Sequence, residues 1–423
     1  MAEPKADASA LRPPIEPLAA ADEANLVLDR PGQVNAFVLV GLLAPEGFLA
    51  EKDGLGIVGL RTALRERVEA SPALCRSVRV IGRRRCWVGS DPDLEQHIRL
   101  AEPVDGLEGL ERMCAALMDE PLPTDRPPWE LLVVPGARAP GAGMVLRIHH
   151  ALADGMAAAD IAQRLFDPSS PGAAESGAAG GGRSTEATRA RGSVRRMFQT
   201  LRRGTVGRTM LLGHRSSTRG VALLQFDLDP LVARVRARGA TVNDALLAGV
   251  ASGLRAALRA AGETIPAGLP VSVPVALPRR GSAGNQVGVM IVRLPLAERD
   301  PDERLRLIAT QTRQEKVMAR VRGTLELMRG PFGARIMDQL ARTQHLVAAF
   351  ITNVRGPEVE LRLAGAPLVA AWPVAVLAGN VRLGVAAISY CGRLRCGIHF
   401  DAAHVPGAAF AFALQSELNR LAS

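Results

Sequence analysis

Two adjacent histidines, His149 and His150, open the run HHALADG at residues 149–155, and the 423-residue chain has only seven histidines in all. A neutral imidazole at cytoplasmic pH can take a proton from a hydroxyl and hand it to a leaving group, so a histidine beside a cleft is a ready general base. In a chain of this composition, the HHxxxDG spacing should arise by chance with a probability on the order of one in a thousand. The apolar run at residues 144–148 reads as a strand that feeds straight into the pair, and a helical pattern begins at Met156. Adjacent strand residues point to opposite sides, so the two rings cannot share a role: one faces the cleft and the other packs inward. A metal site built from His149, His150 and Asp154 is a weaker reading, because rings on opposite faces converge poorly on one ion and no HExxH or further ligand cluster is present. The bland alternative, two core or loop histidines, stays open beside the catalytic one.

Competing chemistries lack their signatures: there is no GxSxG elbow and no GxxxxGK loop, and PGAGM at residues 140–144 lacks the third glycine of a dinucleotide-binding turn. Hydrolase, kinase and dehydrogenase readings lose. The five cysteines (Cys75, Cys86, Cys114, Cys391, Cys396) form no CxxC pair, which fits a reducing compartment; Cys391 and Cys396, an odd number apart in a strand-like segment, should not pair with each other. The formal net charge is +10, yet aromatic residues are only 3%, so the stacking platforms of a nucleic-acid binder are missing. Nearly all of that charge is local, since residues 183–219 hold ten arginines against one acid, Glu186.

The elements that must position the pair follow from periodicity. Residues 57–68 carry Ile57, Leu60, Leu64 and Val68 on one helical face, residues 131–134 and 144–148 are short apolar strands, residues 242–258 read as a helix, and residues 271–275, 287–294 and 381–389 read as strands. Helices that alternate with strands imply an α/β or α+β fold with mixed sheets. The uncharged run at residues 363–381 is long enough for a bilayer but is interrupted by Gly365, Pro367, Pro373 and Gly379, which makes it buried strands joined by turns. With 48% hydrophobic and 22% charged residues, the chain can bury a large core, and a Gly/Ala/Ser-rich break after residue 167 divides it. The expected boundaries are a first domain at residues 1–166, a flexible basic linker at 167–220 and a second domain at 221–423. Within the linker, residues 193–212 place Val194, Met197, Phe198 and Leu201 on one face and Arg195, Arg196, Arg202 and Arg203 on the other, the pattern of an amphipathic helix that lies on anionic lipid or docks on the second domain. The start of the chain lacks the apolar stretch of a signal peptide, so a cytoplasmic location is expected.

HHALADG resembles the active-site motif of acyl-CoA-dependent acyltransferases with the chloramphenicol acetyltransferase-like fold. Further segments narrow the resemblance to the bacterial wax ester synthase/diacylglycerol acyltransferase family: PLPTDRPPWELLVV at residues 121–134, TVNDALLAGVASGLRAAL at 241–258, GNQVGVMIVRLP at 284–295, ITNVRGP at 351–357 and SYCGRLRCGIHFD at 389–401. Two departures stand out. Pro127, Pro128 and Trp129 occupy the place of the family's PLW, and Asn353, Val354, Arg355, Gly356 and Pro357 that of its NVPGP, both in segments thought to shape the substrate channel.

The resemblance implies two chloramphenicol acetyltransferase-like domains, each a mixed sheet with flanking helices, with the active-site channel at their interface. It implies a catalytic set of His150 as general base, His149 and Asp154 as supports, and no cofactor beyond acyl-CoA as substrate. Gly155 would permit the turn into the following helix, and Asp154 would hold the loop through an arginine; as a plain helix cap Asp154 would look the same. Asn243 or Asn353 would donate to the oxyanion, with Asp244 as the partner of Asn243, although Thr241 and Asn243 also fit an ordinary helix start. Trp129, Asn353, Gly356 and Pro357 would line or brace the substrate site. Expected partners are acyl-CoA, a hydrophobic alcohol or diacylglycerol, and a membrane or lipid-droplet surface met peripherally, without nucleic acid and without a metal. The rival readings are a condensation-type or specialised-metabolite acyltransferase and a catalytically silent lipid-binding protein.

Overall fold

The computed structural model describes residues 15–50, 56–153, 155–167, 205–276, 287–322, 335 and 338–423. The strand expected to lead into the histidine pair sits in a six-stranded sheet. From edge to edge that sheet is β12 (Arg362–Leu363), β13 (Ala366–Val374), β2 (Ala36–Leu43), β7 (Ala142–His149), β6 (Trp129–Val134) and β5 (Ile98–Leu100). β7 is antiparallel to both β2 and β6, and all 8 of its residues are buried. Cover on both faces explains why AGMVLRIH is nearly continuous in apolar residues instead of alternating. Its buried cation is compensated within the sheet: Arg147 Nη1 donates to Glu130 Oε1 on β6 at 3.0 Å. Burial lowers the Arg147 pKa against the opposing pull of Glu130.

The second six-stranded sheet runs β10 (Val287–Leu294), β9 (Leu269–Ala276), β11 (Phe350–Arg355), β14 (Leu383–Tyr390), β15 (Arg393–Asp401) and β8 (Arg219–Asp227). Both sheets are mixed, because β5 is parallel to β6 in the first and β11 is parallel to β9 and β14 in the second. A small third sheet joins β1 (Ile15–Pro17), β4 (Arg84–Gly89) and β3 (Arg76–Ile81). The helices pack as their periodicity dictates. α2 (Ile57–Glu69) buries Leu60, Leu64 and Val68. α7 (Val242–Ala260) meets α9 (Gly407–Ala422) so closely at Gly253 that a Cβ there would lie 2.8 Å from the Phe410 ring.

Division at the linker does not describe the sheets. β12 and β13 come from the segment after the linker, yet β13 hydrogen-bonds to β2 along Leu368–Val374 and completes the first sheet. This is the uncharged run whose prolines and glycines pointed to strands and turns; Gly365, at φ +81°, makes the turn between β12 and β13. The two sheets are also stitched by polar contacts. Trp372 Nε1 of β13 donates to the Leu224 carbonyl of β8 at 2.8 Å, and Glu111 on α4 (Gly106–Leu117) accepts from the Leu223 amide at 2.7 Å.

The expected amphipathic helix at residues 193–212 is corrected at its C-terminal end. Residues 205–212 are not helical: Leu211 is fully buried, Leu212 bridges to Val381, and Arg382 Nη1 donates to the Met210 carbonyl at 3.0 Å. Gly207 and the β-branched pair Thr205–Val206 remove helix propensity there, and the tertiary contacts decide the rest. Residues 193–204 of that expected helix, with the greater part of the linker, lie outside the described residues. All five cysteines are free, Cys391 exposed and Cys396 buried. Among the described residues, no helix is long and apolar enough to cross a membrane.

Candidate active site

β7 ends at His149, a position fully sealed from solvent. The Ala151 amide donates to its Nδ1 at 2.9 Å, so Nδ1 is the unprotonated nitrogen and the ring proton sits on Nε2. Nε2 faces Asp29 Oδ2 at 3.4 Å, a carboxylate just beyond the end of α1 (Ala20–Leu28). The peptide that links β7 to the turn is held as well, since the His149 amide donates to the Pro128 carbonyl at 3.0 Å. The proline that replaces the family's leucine thus retains a backbone role that needs no particular side chain.

His150 is the first residue past the strand and is half-buried. Its backbone is fixed at both ends: its amide donates to the Asn35 carbonyl at 3.0 Å, and its carbonyl accepts from Asn25 Nδ2 at 3.2 Å. Asn35 Nδ2 in turn donates to the Asn25 side chain at 3.1 Å, and the Asn35 amide donates to Asp29 Oδ1 at 2.6 Å. Hydrogen bonds therefore link Asp29, Asn35, Asn25 and the His150 backbone around the strand end, with the His149 ring beside Asp29. Each such bond contributes about 1 kcal/mol net and, more importantly here, removes freedom from the loop.

A second support comes from the opposite side. Trp129 starts β6, is buried, and donates from Nε1 to the Leu74 carbonyl at 2.9 Å. His97, at the end of α3 (Leu94–His97), stacks on it with ring centroids 4.5 Å apart, and its Nδ1 donates to the Trp129 carbonyl at 2.8 Å. Burial lowers the His97 pKa, which keeps this ring neutral in its bracing role. Arg76 lies over Trp87, and its Nη2 donates to the Leu152 carbonyl at 3.1 Å, inside the HHALADG turn.

The remaining expected site residues are dispersed over the second sheet and its helices. Thr241 caps α7, and Asp244 is a buried member of that cap: Oδ2 accepts from the Thr241 amide at 2.8 Å and Oδ1 accepts from Thr312 Oγ1 at 2.6 Å. The simple helix-start reading thus accounts for Asp244. Asn243 is half-buried in the first turn of the same helix, and its amide makes no hydrogen bond to a described residue. Asn353 lies on β11 opposite Ala387. The Gly356 amide donates to the Ser389 carbonyl at 2.9 Å, and a Cβ at Gly356 would lie 2.6 Å from that oxygen, so close packing of this segment requires glycine. Pro357 supplies a carbonyl to the Cys391 amide. Arg355, the departure in this motif, is 82% exposed and pairs with Glu358. Asp154 lies outside the described residues, and Gly155 is the first residue of α5 (Gly155–Leu165). Among the described residues, no group of three or more histidine, cysteine, aspartate or glutamate side chains is arranged to hold a metal.

Sequence reasoning overlooked Asn25, Asp29, Asn35, Arg76 and His97. The first three stand in NLVLDRPGQVNAF, a loop-rich stretch where short polar residues signal turns in general and carry no sign of which distant strand end they grip.

Comparison with known proteins places the chain. Residues 18–203 match the wax ester synthase/diacylglycerol acyltransferase catalytic domain, and residues 283–422 match the WS/DGAT C-terminal domain. Two Mycobacterium tuberculosis proteins that bear diacylglycerol O-acyltransferase names are similar: one is 30% identical over 357 residues, which is 74% of this chain and 71% of that protein, and the other, tgs1, is 29% identical over 352 residues, 74% and 76% of the two chains. Among solved structures, the wax ester synthase/diacylglycerol acyltransferase from Marinobacter aquaeolei VT8 shares the fold with a TM-score of 0.74 at 22% identity, over 96% of this chain and 98% of that one. A trichothecene 15-O-acetyltransferase from Fusarium sporotrichioides shares it with a TM-score of 0.65 at 12% identity, over 99% and 97% of the two chains. The chain belongs to the wax ester synthase/diacylglycerol acyltransferase family.

Proposed function

We propose that this acyltransferase moves a fatty acyl group from acyl-CoA to the hydroxyl of a long-chain alcohol or diacylglycerol, making wax ester or triacylglycerol, with His150 as general base. The observation that carries the assignment is the contrast within the pair. His149 is sealed in the strand with its Nδ1 engaged by Ala151, whereas His150 stands half-buried past the strand end on a backbone pinned by Asn25 and Asn35.

The chemistry balances without a covalent enzyme intermediate. The His150 imidazole takes the acceptor hydroxyl proton as that oxygen attacks the thioester carbonyl carbon. The tetrahedral oxyanion collapses, the C–S bond breaks, and the imidazolium proton passes to the departing CoA thiolate. A positioned base of this kind contributes about 10² to 10⁴ in rate. The proposed oxyanion donor is Asn243, whose amide makes no hydrogen bond to a described residue and stands in the first turn of α7, where the helix end also favours negative charge. Asp154 is proposed to hold the HHALADG loop, and the channel is proposed to run between the two sheets, with CoA and acceptor entering from opposite ends. The protein would work in the cytoplasm as a peripheral enzyme at a lipid surface.

The test is free CoA release from palmitoyl-CoA with hexadecanol or dipalmitoylglycerol, for the wild-type chain and His150→Ala. Acceptor-dependent release that the substitution abolishes supports the reading and ranks the two acceptors. Release that is absent, or that is unchanged in the variant, moves the assignment to a specialised-metabolite acyltransferase or to a silent lipid-binding protein.

A further inference from the structure

The β3–β4 hairpin carries charge that no other described residue pairs with. No acidic residue occurs between Arg76 and Asp91, and the tip reads RVIGRRR at residues 79–85. Arg79, Arg83 and Arg84 are exposed and Arg85 is half-buried. None of these four guanidinium groups makes a hydrogen bond or ion pair with a described residue. Other exposed arginines, such as Arg112, Arg306 and Arg355, each hold a glutamate three or four residues away.

Beside those cations stand two aliphatic side chains that a solvated turn has no use for. Val80 is 71% exposed and Ile81 44%. Strand register sets their arrangement: Val80 lies opposite Arg85 and Ile81 opposite Arg84, so each face of the tip shows one branched aliphatic beside one guanidinium. The turn projects into open space, since a Cβ built on Gly82 would meet nothing within 4 Å.

The base of the hairpin, in contrast, is rooted in the active site. Arg76 Nη2 reaches the Leu152 carbonyl of the HHALADG turn, and Trp87 Nε1 donates to Asp22 on α1, the helix whose Asn25 holds His150. From Arg76 to Ile81 the strand spans roughly 16 Å at about 3.3 Å per residue.

We propose that the hairpin tip docks the protein on a bilayer surface that bears anionic phospholipid headgroups. The arginines meet phosphates while Val80 and Ile81 enter the headgroup/acyl boundary, and the rigid stem holds the histidine turn at a fixed height above the lipid that supplies an apolar acceptor. The purpose of the docking rests on the acyl-transfer reading; the docking itself does not.

The experiment is co-sedimentation of the full chain with phosphatidylcholine vesicles and with mixed phosphatidylcholine/phosphatidylglycerol vesicles, at low and high salt. Wild type should partition onto the anionic vesicles and be released by salt. Arg83→Ala/Arg84→Ala should weaken that partition by about 30-fold, at roughly fivefold per cation near a charged surface, and Val80→Ser/Ile81→Ser by about tenfold. Arg83→Lys/Arg84→Lys should stay within about threefold of wild type, because the headgroup field reads charge more than fork geometry. Equal binding by every variant would overturn the proposal and transfer the contact to another segment, such as the basic stretch at residues 193–204. Equal binding to neutral and anionic vesicles, or no binding to either, would also overturn it. CoA release with a water-soluble alcohol should be unchanged in the tip variants, so a wild-type chain that docks but releases no CoA sinks the proposed function and leaves the docking intact.

Discussion

His149 and His399 are both sealed in strands, one in each six-stranded sheet, yet they are bonded in opposite senses. In the first sheet, His149 Nδ1 accepts from the Ala151 amide and Nε2 faces the Asp29 carboxylate. In the second, Nδ1 of His399 donates to the Ala375 carbonyl at 2.8 Å; neither Nε2 makes a hydrogen bond to a described residue, but that of His149 lies 3.4 Å from a carboxylate. His399 thus serves as a structural pin between β15 and the residue that follows β13, and burial pushes its pKa down to about 3. His149 instead stands beside Asp29, which accepts from the Asn35 amide, and the Asn35 carbonyl accepts from the amide of His150, the proposed base. Burial of an imidazole does not make it functional; what matters is the chain of partners it completes.

The difference can be broken by exchanging the consequences of each deletion. His149→Ala should lower kcat/KM by about 100-fold, because it releases the turn that orients His150, while His399→Ala should leave kcat/KM within about twofold and lower only stability. Steady-state CoA release beside thermal unfolding measures both, and a reversed pattern would mean that the functional strand end has been misassigned. His149→Asn sharpens the point: its amide oxygen can still accept from Ala151, so about a tenth of wild-type activity should survive, against about a hundredth for the alanine variant.

The two sheets should also differ in their response to acid. The unfolded chain protonates a histidine near pH 6.5, whereas folded His399 resists until about pH 3. Its contribution to stability is therefore complete above pH 6.5 and is lost as the pH falls below it, by about 2 kcal/mol at pH 5. Urea unfolding at pH 7 and pH 5 should show that loss in wild type and a shallower one in His399→Asn, which can keep the donor to Ala375 without titrating. The smallest effect belongs to the edge of this network: Asn35→Ala removes the bond to Asn25 but not the backbone bond to His150, and should cost about 1 kcal/mol of stability and a few-fold in kcat.

Much of this architecture was legible in local pattern. The apolar run before HHALADG, the helical faces of α2 and α7 and the strand character of β9, β10 and β14 all follow from periods of two or 3.6 residues, which sequence displays directly. The expected opposition of the two rings follows from the pleat alone, and the structure places His149 inward and His150 at the strand end. What local pattern cannot display is long-range pairing. Nothing in residues 366–374 indicates that they hydrogen-bond to residues 38–43, more than 320 positions earlier in the chain, because each edge offers the same backbone groups to any partner. The network of Asn25, Asp29 and Asn35 was hidden for a related reason, since its residues are joined by tertiary contact and not by spacing. Asn243 and Asp244, adjacent in sequence, resolve differently: the Asp244 carboxylate is spent on the cap of α7, whereas the Asn243 amide makes no hydrogen bond to a described residue.

The claim that His150 abstracts the acceptor proton is tested most directly by the pH dependence of kcat/KM for acceptor-dependent CoA release, measured on wild type, His150→Ala and His399→Asn. The account predicts an acid limb that falls about tenfold per pH unit in wild type and in His399→Asn, and a low, flat profile in His150→Ala. An acid limb that persists in His150→Ala, or activity in that variant within tenfold of wild type, would contradict it.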